Sequence, residues 1–210
     1  MIIRPASTRG FLDAGWISSA RTFSNNSYFD SQYQRWNSLR VINDDCQQPG
    51  NMVPKHKHDG FDILGYMISG ELDHWDNLGN QNRAIAGQIQ HMYCGTGIYH
   101  TEASVGIVPA RYLQIWIINK LEHRRDQPYY ELLDKSPEFA LLPIEFRSGM
   151  KISGGTLSGQ HTLSTKCAYV YVVSGTITGD DFVLSEGDGA ELDNDLIGNF
   201  NCHLLMFEQT

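Results

Sequence analysis

The chain has 210 residues, a formal net charge of -8, and 41% hydrophobic against 19% charged residues. This length supports one large domain or two small ones, and the composition argues against disorder. The acid excess argues against direct binding of nucleic acid or of an anionic membrane surface, both of which call for a positive field.

The first residues, Met1, Ile2, Ile3, Arg4 and Pro5, carry no charged head followed by an apolar run, so no secretory leader is expected. No stretch approaches about 18 apolar residues, and no membrane span is expected. The four cysteines, Cys46, Cys94, Cys167 and Cys202, are scattered and form no C-x-x-C pair. They read as reduced, partly buried thiols, which points to the cytoplasm.

In chain order, an aromatic group of Tyr28, Phe29, Tyr33 and Trp36 comes first; it is expected to seal a barrel or to border a pocket for a planar ligand. His56-Lys57-His58 follows Gly50 and Pro54. It leads into the apolar run 63–68, which stops at Ser69-Gly70. Residues 71–76 precede the turn Asn77-Leu78-Gly79-Asn80. Gly95-Thr96-Gly97 then opens onto His100-Thr101-Glu102. Residues 111–119 are rich in β-branched and aromatic types, and 166–173 and 182–184 look similar. A short helix is expected only at roughly 129–134, after Pro128. Gly, Asn and Asp clusters punctuate these runs about every 8 to 15 residues, the spacing of a β-sandwich or barrel.

An internal echo points to two units. Tyr66-Met67-Ile68-Ser69-Gly70 resembles Tyr171-Val172-Val173-Ser174-Gly175, and Gly87 has a counterpart in Gly187. Two similar β units are joined by an extended segment around 120–150, which holds Pro128, Pro137 and Pro143.

The residues with metal chemistry are spaced for a strand. Side chains at i and i+2 share one face, so His56 and His58 project together, as do His100 and Glu102. Two such strands build a site of three imidazoles and one carboxylate. That donor set suits a first-row transition ion, leaves positions open to substrate or dioxygen, and lacks the thiolates of a closed structural zinc site. His74, His91 and His123 read instead as surface or hydrogen-bonded histidines.

Gly50-x5-His56-x-His58-x3-Asp62-x7-Gly70 and Gly87-x7-Gly95-x-Gly97-x2-His100 resemble the two cupin motifs. The longer text is more specific. The stretches 39–45, 69–80, 95–102 and 113–117, with Ala20-Arg21-Thr22-Phe23-Ser24 before them, closely resemble the pirin family. The resemblance is strong over about residues 15–120 and weaker beyond.

The resemblance implies an all-β bicupin: two antiparallel, jelly-roll-like β-barrels packed together with little helix. The N-terminal barrel, 1–122, holds the metal site; 123–210 supplies a linker and a C-terminal barrel without one. The implied ligands are His56, His58, His100 and Glu102, with Glu102 also the catalytic carboxylate. The implied cofactor is one divalent transition metal, iron first, with Ni, Mn, Cu, Co and Zn as alternatives. The implied activity is that of a quercetin 2,3-dioxygenase, in which dioxygen opens the ring of a flavonol or similar enediol. The alternatives are a non-enzymatic regulatory protein that senses iron redox state through a protein partner, and a metal-free barrel that binds a small ligand. A monomer is expected.

Some positions depart from the family pattern. Asp62 stands where Glu is usual and reads as a hydrogen-bond partner, not a ligand. Lys55 and Lys57 flank the first ligands, Asp59-Gly60 replaces an Arg-containing stretch, and Gln88 replaces an Asp. In the second half, aligning the Ser-Gly turns maps His56 to His161, His58 to Leu163 and Asp62 to Cys167. Aligning Gly87 with Gly187 maps His100 to Phe200 and Glu102 to Cys202. A filled, metal-free interior is expected there.

Overall fold

The structure, a computed structural model, describes residues 1–209. Its strands are β1 (Ile2–Arg4), β2 (Gly10–Asp13), β3 (Ile17–Arg21), β4 (Leu39–Gln47), β5 (Met52–His58), β6 (Phe61–Ser69), β7 (Glu71–Asp76), β8 (Gln81–Ile85), β9 (Gln88–Tyr93), β10 (Ile98–Val105), β11 (Ala110–Ile118), β12 (Tyr129–Asp134), β13 (Ala140–Leu141), β14 (Met150–Leu163), β15 (Ala168–Thr178), β16 (Val183–Ser185), β17 (Gly189–Leu192) and β18 (Leu196–Gln209). Among the described residues there is no α-helix, only the 3-10 turns Ala6–Thr8 and Leu121–His123. No helix is long and apolar enough to cross a membrane.

The chain forms two compact units. One is Gly10–Lys135; the other joins Met1–Arg9 to the segment from Ser136 onward. In the first unit, a seven-stranded sheet runs β12-β9-β6-β11-β4-β3-β2 and a four-stranded sheet runs β5-β10-β7-β8. In the second, one sheet runs β1-β17-β15-β18-β14-β13, with β16 added beside β15. All these pairings are antiparallel.

Local sequence accounts for most of these strands. In β6 both faces are buried, so it reads as a continuous apolar run, Ile63 to Met67 being covered throughout. By contrast β5 is an edge strand with alternating exposure, and an edge tolerates the missing N–H of Pro54.

Two expectations are corrected. Residues 129–134 form no helix: β12 pairs with β9 along its whole length, Tyr129 opposite Tyr93 and Asp134 opposite Gln88. Six residues are too few to sustain an isolated helix, and the open edge of β9 offers a full set of backbone partners. For the same reason the division between the units lies at 135/136, not 122/123. Residues 1–9 also leave the first unit, because Ile2, Ile3 and Arg4 pair with Glu191, Ala190 and Gly189 of β17.

The Ser-Gly echo has a steric basis. Gly70 and Gly175 have φ of 71° and 82°. A Cβ on Gly70 would lie 2.5 Å from the Pro109 carbonyl oxygen, and one on Gly175 would lie 2.1 Å from that of Asn201. Positive φ and backbone contact both demand glycine. Gly175→Ala is expected to destabilise its unit by about 2–4 kcal/mol. Gly15→Ala, with φ 80° but nothing within 4 Å, should lose only about 1 kcal/mol. Calorimetry of the two variants checks this; equal losses would show that the contact with Asn201 is relieved by backbone movement.

The second unit is filled by apolar side chains. Val170 and Val172 of β15 pack with Phe200, Cys202 and Leu204 of β18 in one buried cluster.

Candidate metal centre

The site begins with the pairing of β5 and β10. His100 lies directly opposite His56, and Ile98 opposite His58, with a register shift between His100 and Glu102. The i, i+2 spacing turns His56 and His58 to one side while Lys57 is exposed on the other. The same alternation buries Ile98, His100, Glu102 and Ser104.

The three imidazoles meet. One ring nitrogen from each of His56, His58 and His100 lies within 4.8 Å of the others. His56 Nε2 and His100 Nε2 are 3.0 Å apart. The Pro54 carbonyl lies 2.8 Å from His56 Nδ1 and can only accept, so Nδ1 carries the proton and Nε2 presents its lone pair. Burial first, then the neighbouring imidazoles, push His58 and His100 down to about 3. Both rings are therefore neutral at physiological pH, the form that ligates a metal. Two nitrogens about 2.1 Å from one ion at roughly a right angle sit ~3 Å apart, so the observed spacing fits a first-row ion.

Glu102 is buried, and burial raises its carboxyl above the usual range. Gln90 Nε2 donates to Glu102 Oε1 at 3.4 Å, and the Tyr130 hydroxyl donates to Gln90 Oε1 at 3.0 Å. Glu102 falls in a second group with His100 and His74. The two groups share His100.

His74 was not expected here. It lies directly opposite Glu102 in the β7–β10 pairing and is buried. Its Nε2 is 3.0 Å from Asp76 Oδ2, and its ring stacks on Tyr130 at 4.2 Å. Alternation along β7, where Leu72 and His74 point inward, is the signal that finds it. His91 is also no surface residue. Fully buried, it bridges Asp62 Oδ1 and Glu131 Oε1, each at 2.8 Å. Asp62 is thus a hydrogen-bond partner, of His91 rather than of the imidazole cluster.

Beside the cluster lies a cavity of about 700 Å³. His56 and His58 line it together with Phe61, Trp16 and Trp116, and His58 packs edge-on against Trp116 at 4.7 Å. Ser19, Arg21, Asn43, Asp45 and Gln114 give it a polar wall. None of Tyr28, Phe29, Tyr33 and Trp36 lines this cavity; Trp36 is buried and Phe29 is exposed. Cys94 is fully buried, and burial holds its thiol far above the reactive range.

In the second unit no comparable group of ligand side chains occurs among the described residues. His161 Nε2 is 2.9 Å from the Ser158 carbonyl and its ring packs on Phe200.

Comparisons with known proteins agree with this architecture. The family model for pirins matches residues 3–117. A pirin-like protein of Caulobacter vibrioides is 30% identical over 92% of this chain and 91% of its own length. The quercetin 2,3-dioxygenase of Escherichia coli K12 is 30% identical over 89% of this chain and 87% of its own. The crystal structure of bacterial pirin YhhW from Escherichia coli in complex with nickel(II) superposes with a TM-score of 0.91 at 27% identity, covering 99% of this chain and 97% of that one. With its two antiparallel cupin units and this extent of similarity, the chain belongs to the pirin family.

Proposed function

We propose that this protein is a metal-dependent dioxygenase of the quercetin 2,3-dioxygenase type, acting on a small planar aromatic or enediol substrate with dioxygen. The observation that carries this reading is the cluster of three imidazoles, two of which, His56 and His58, line an aromatic-walled cavity large enough for such a molecule. Relatives named for quercetin dioxygenation support it. His56, His58 and His100 would hold the ion, with Glu102 as fourth ligand; iron is the first choice and nickel the next. When bound, the ion supplies Lewis acidity toward a substrate oxygen and the open-shell character that dioxygen chemistry requires.

The chain's own residues prepare the substrate. Trp116, Phe61 and Trp16 exclude water and present flat apolar surface to an aromatic ring. Glu102, made more basic by burial, would take the proton of a substrate hydroxyl. Gln90, itself held by Tyr130, steadies that carboxylate through its amide N–H.

Oxygen uptake by protein loaded with iron or nickel, measured over a panel of flavonols and related enediols, tests the reading. Uptake above that of the free ion with at least one substrate is expected. No uptake across the panel would remove the oxygenase assignment in favour of a non-enzymatic role.

A further inference from the structure

The polar wall of the cavity has no part in holding a metal. It is built by register: Ser19, Asp45 and Tyr112 are direct cross-strand neighbours on β3, β4 and β11, as are Arg21, Asn43 and Gln114. Directly opposed residues point to the same face, so these two rows form one surface. Arg21, Asn43 and Asp45 are 6%, 4% and 4% exposed. Yet Arg21 Nε, Asn43 Oδ1 and Asp45 Oδ1 find no hydrogen-bond partner in the protein. The rest of the Arg21 guanidinium is anchored, with Nη1 donating to the Asn25 carbonyl and the Ser27 hydroxyl. Buried polar atoms are nearly always paired, and leaving them unpaired is costly. Three such atoms on the wall of one cavity therefore point to a ligand.

We propose that Arg21, Asn43 and Asp45 form a recognition subsite for neutral hydroxyl groups on the part of the substrate that does not face the imidazoles. The chemistry selects the class. Arg21 offers a donor, while Asn43 and Asp45 offer acceptors beside it. A hydroxyl both donates and accepts and satisfies such a pair. A carboxylate or phosphate would face the oxygens of Asn43 and Asp45, and an ammonium would face Arg21. Burial, opposed by the Ser19 hydroxyl, raises the Asp45 carboxyl to about 7, so near neutral pH it both accepts and donates. The subsite thus reads phenolic substituents, and it deepens the dioxygenase reading, on which the choice of probe rests.

The test uses the full chain loaded with zinc, so that binding is observed without turnover. Quercetin, hydroxylated on its outer rings, is compared with 3-hydroxyflavone, which lacks those hydroxyls. Binding is followed by quenching of the fluorescence of Trp16 and Trp116. Quercetin is expected to bind about 10–100-fold more tightly. That ratio should fall to within about 2-fold in Asn43→Leu and Arg21→Met. Asp45→Asn, which keeps the side-chain shape, should lower it in part and guards against misfolding of the others. Equal affinity for the two flavonols in the unaltered protein, absence of quenching by either, or an unchanged ratio in the folded variants would each overturn the subsite. Oxygen uptake by iron-loaded protein runs in parallel. Selectivity without uptake would sink the oxygenase reading and leave the subsite standing; uptake without selectivity would do the reverse.

Discussion

His100→Ala is expected to lower the affinity for a first-row divalent ion by about 10²–10⁴-fold, more than the loss typical of a residue that only orients a ligand. His100 is the informative choice because it belongs to both ligand groups, the one with His56 and His58 and the one with His74 and Glu102. Its ring is buried and neutral, so the substitution removes a donor without removing a charge. Competition against a chelator, with metal content measured after reloading, gives the number. His161→Ala in the second unit should bind as the unaltered protein does, since its ring packs on Phe200 and joins no ligand group. A pair of milder variants, His74→Gln and Glu102→Gln, then shows which side chain completes the set. Wild-type affinity in His100→Ala would mean that the imidazole cluster is not where the ion is held.

The second large effect lies at His91. It is fully buried between Asp62, also fully buried, and the partly exposed Glu131. His91→Leu leaves the Asp62 carboxylate without its partner in the interior, and about 3–5 kcal/mol of stability should be lost. The pH dependence carries a sign. Burial lowers the pKa of His91, but hydrogen bonds and charge from Asp62 and Glu131 outweigh it and the net shift is upward. A group raised in the folded state contributes stability that is fully present below its unfolded pKa of about 6.5 and is lost as pH rises through the folded value. Urea unfolding at pH 6 and pH 9 should therefore show a loss at the higher pH that is absent in His91→Gln. All four tryptophans, Trp16, Trp36, Trp75 and Trp116, lie within Gly10–Lys135, so their fluorescence reports this unit alone. A pH dependence shared by the variant would assign the loss to other groups.

These two centres were unequally visible in the sequence. The imidazole cluster rests on two i, i+2 pairs, and alternation along a strand is a local property that any reader of His56-Lys57-His58 and His100-Thr101-Glu102 can apply. His74 obeys the same alternation with Leu72 and has Asp76 two positions on, but that carboxylate is the partner of its own ring, and only the register of β7 on β10 sets His74 opposite Glu102. His91 gave less still. Its partners are Asp62, 29 residues before it, and Glu131, 40 residues after it. The second of these sits on the segment that reads as a helix from its residues and becomes a strand only because β9 has a free edge.

Composition and residue spacing determined an all-β chain in two similar units, with ligand-type side chains sharing strand faces in the first and not in the second. Those are consequences of the period of two and of short-range turn chemistry, which act within about ten residues. Only the tertiary structure decided that His100 stands opposite His56, that residues 1–9 belong with the second unit, and that Arg21, Asn43 and Asp45 share one buried wall with the cluster. Register between strands far apart in sequence is set by which faces must be buried together, and that choice is made by the whole sheet at once.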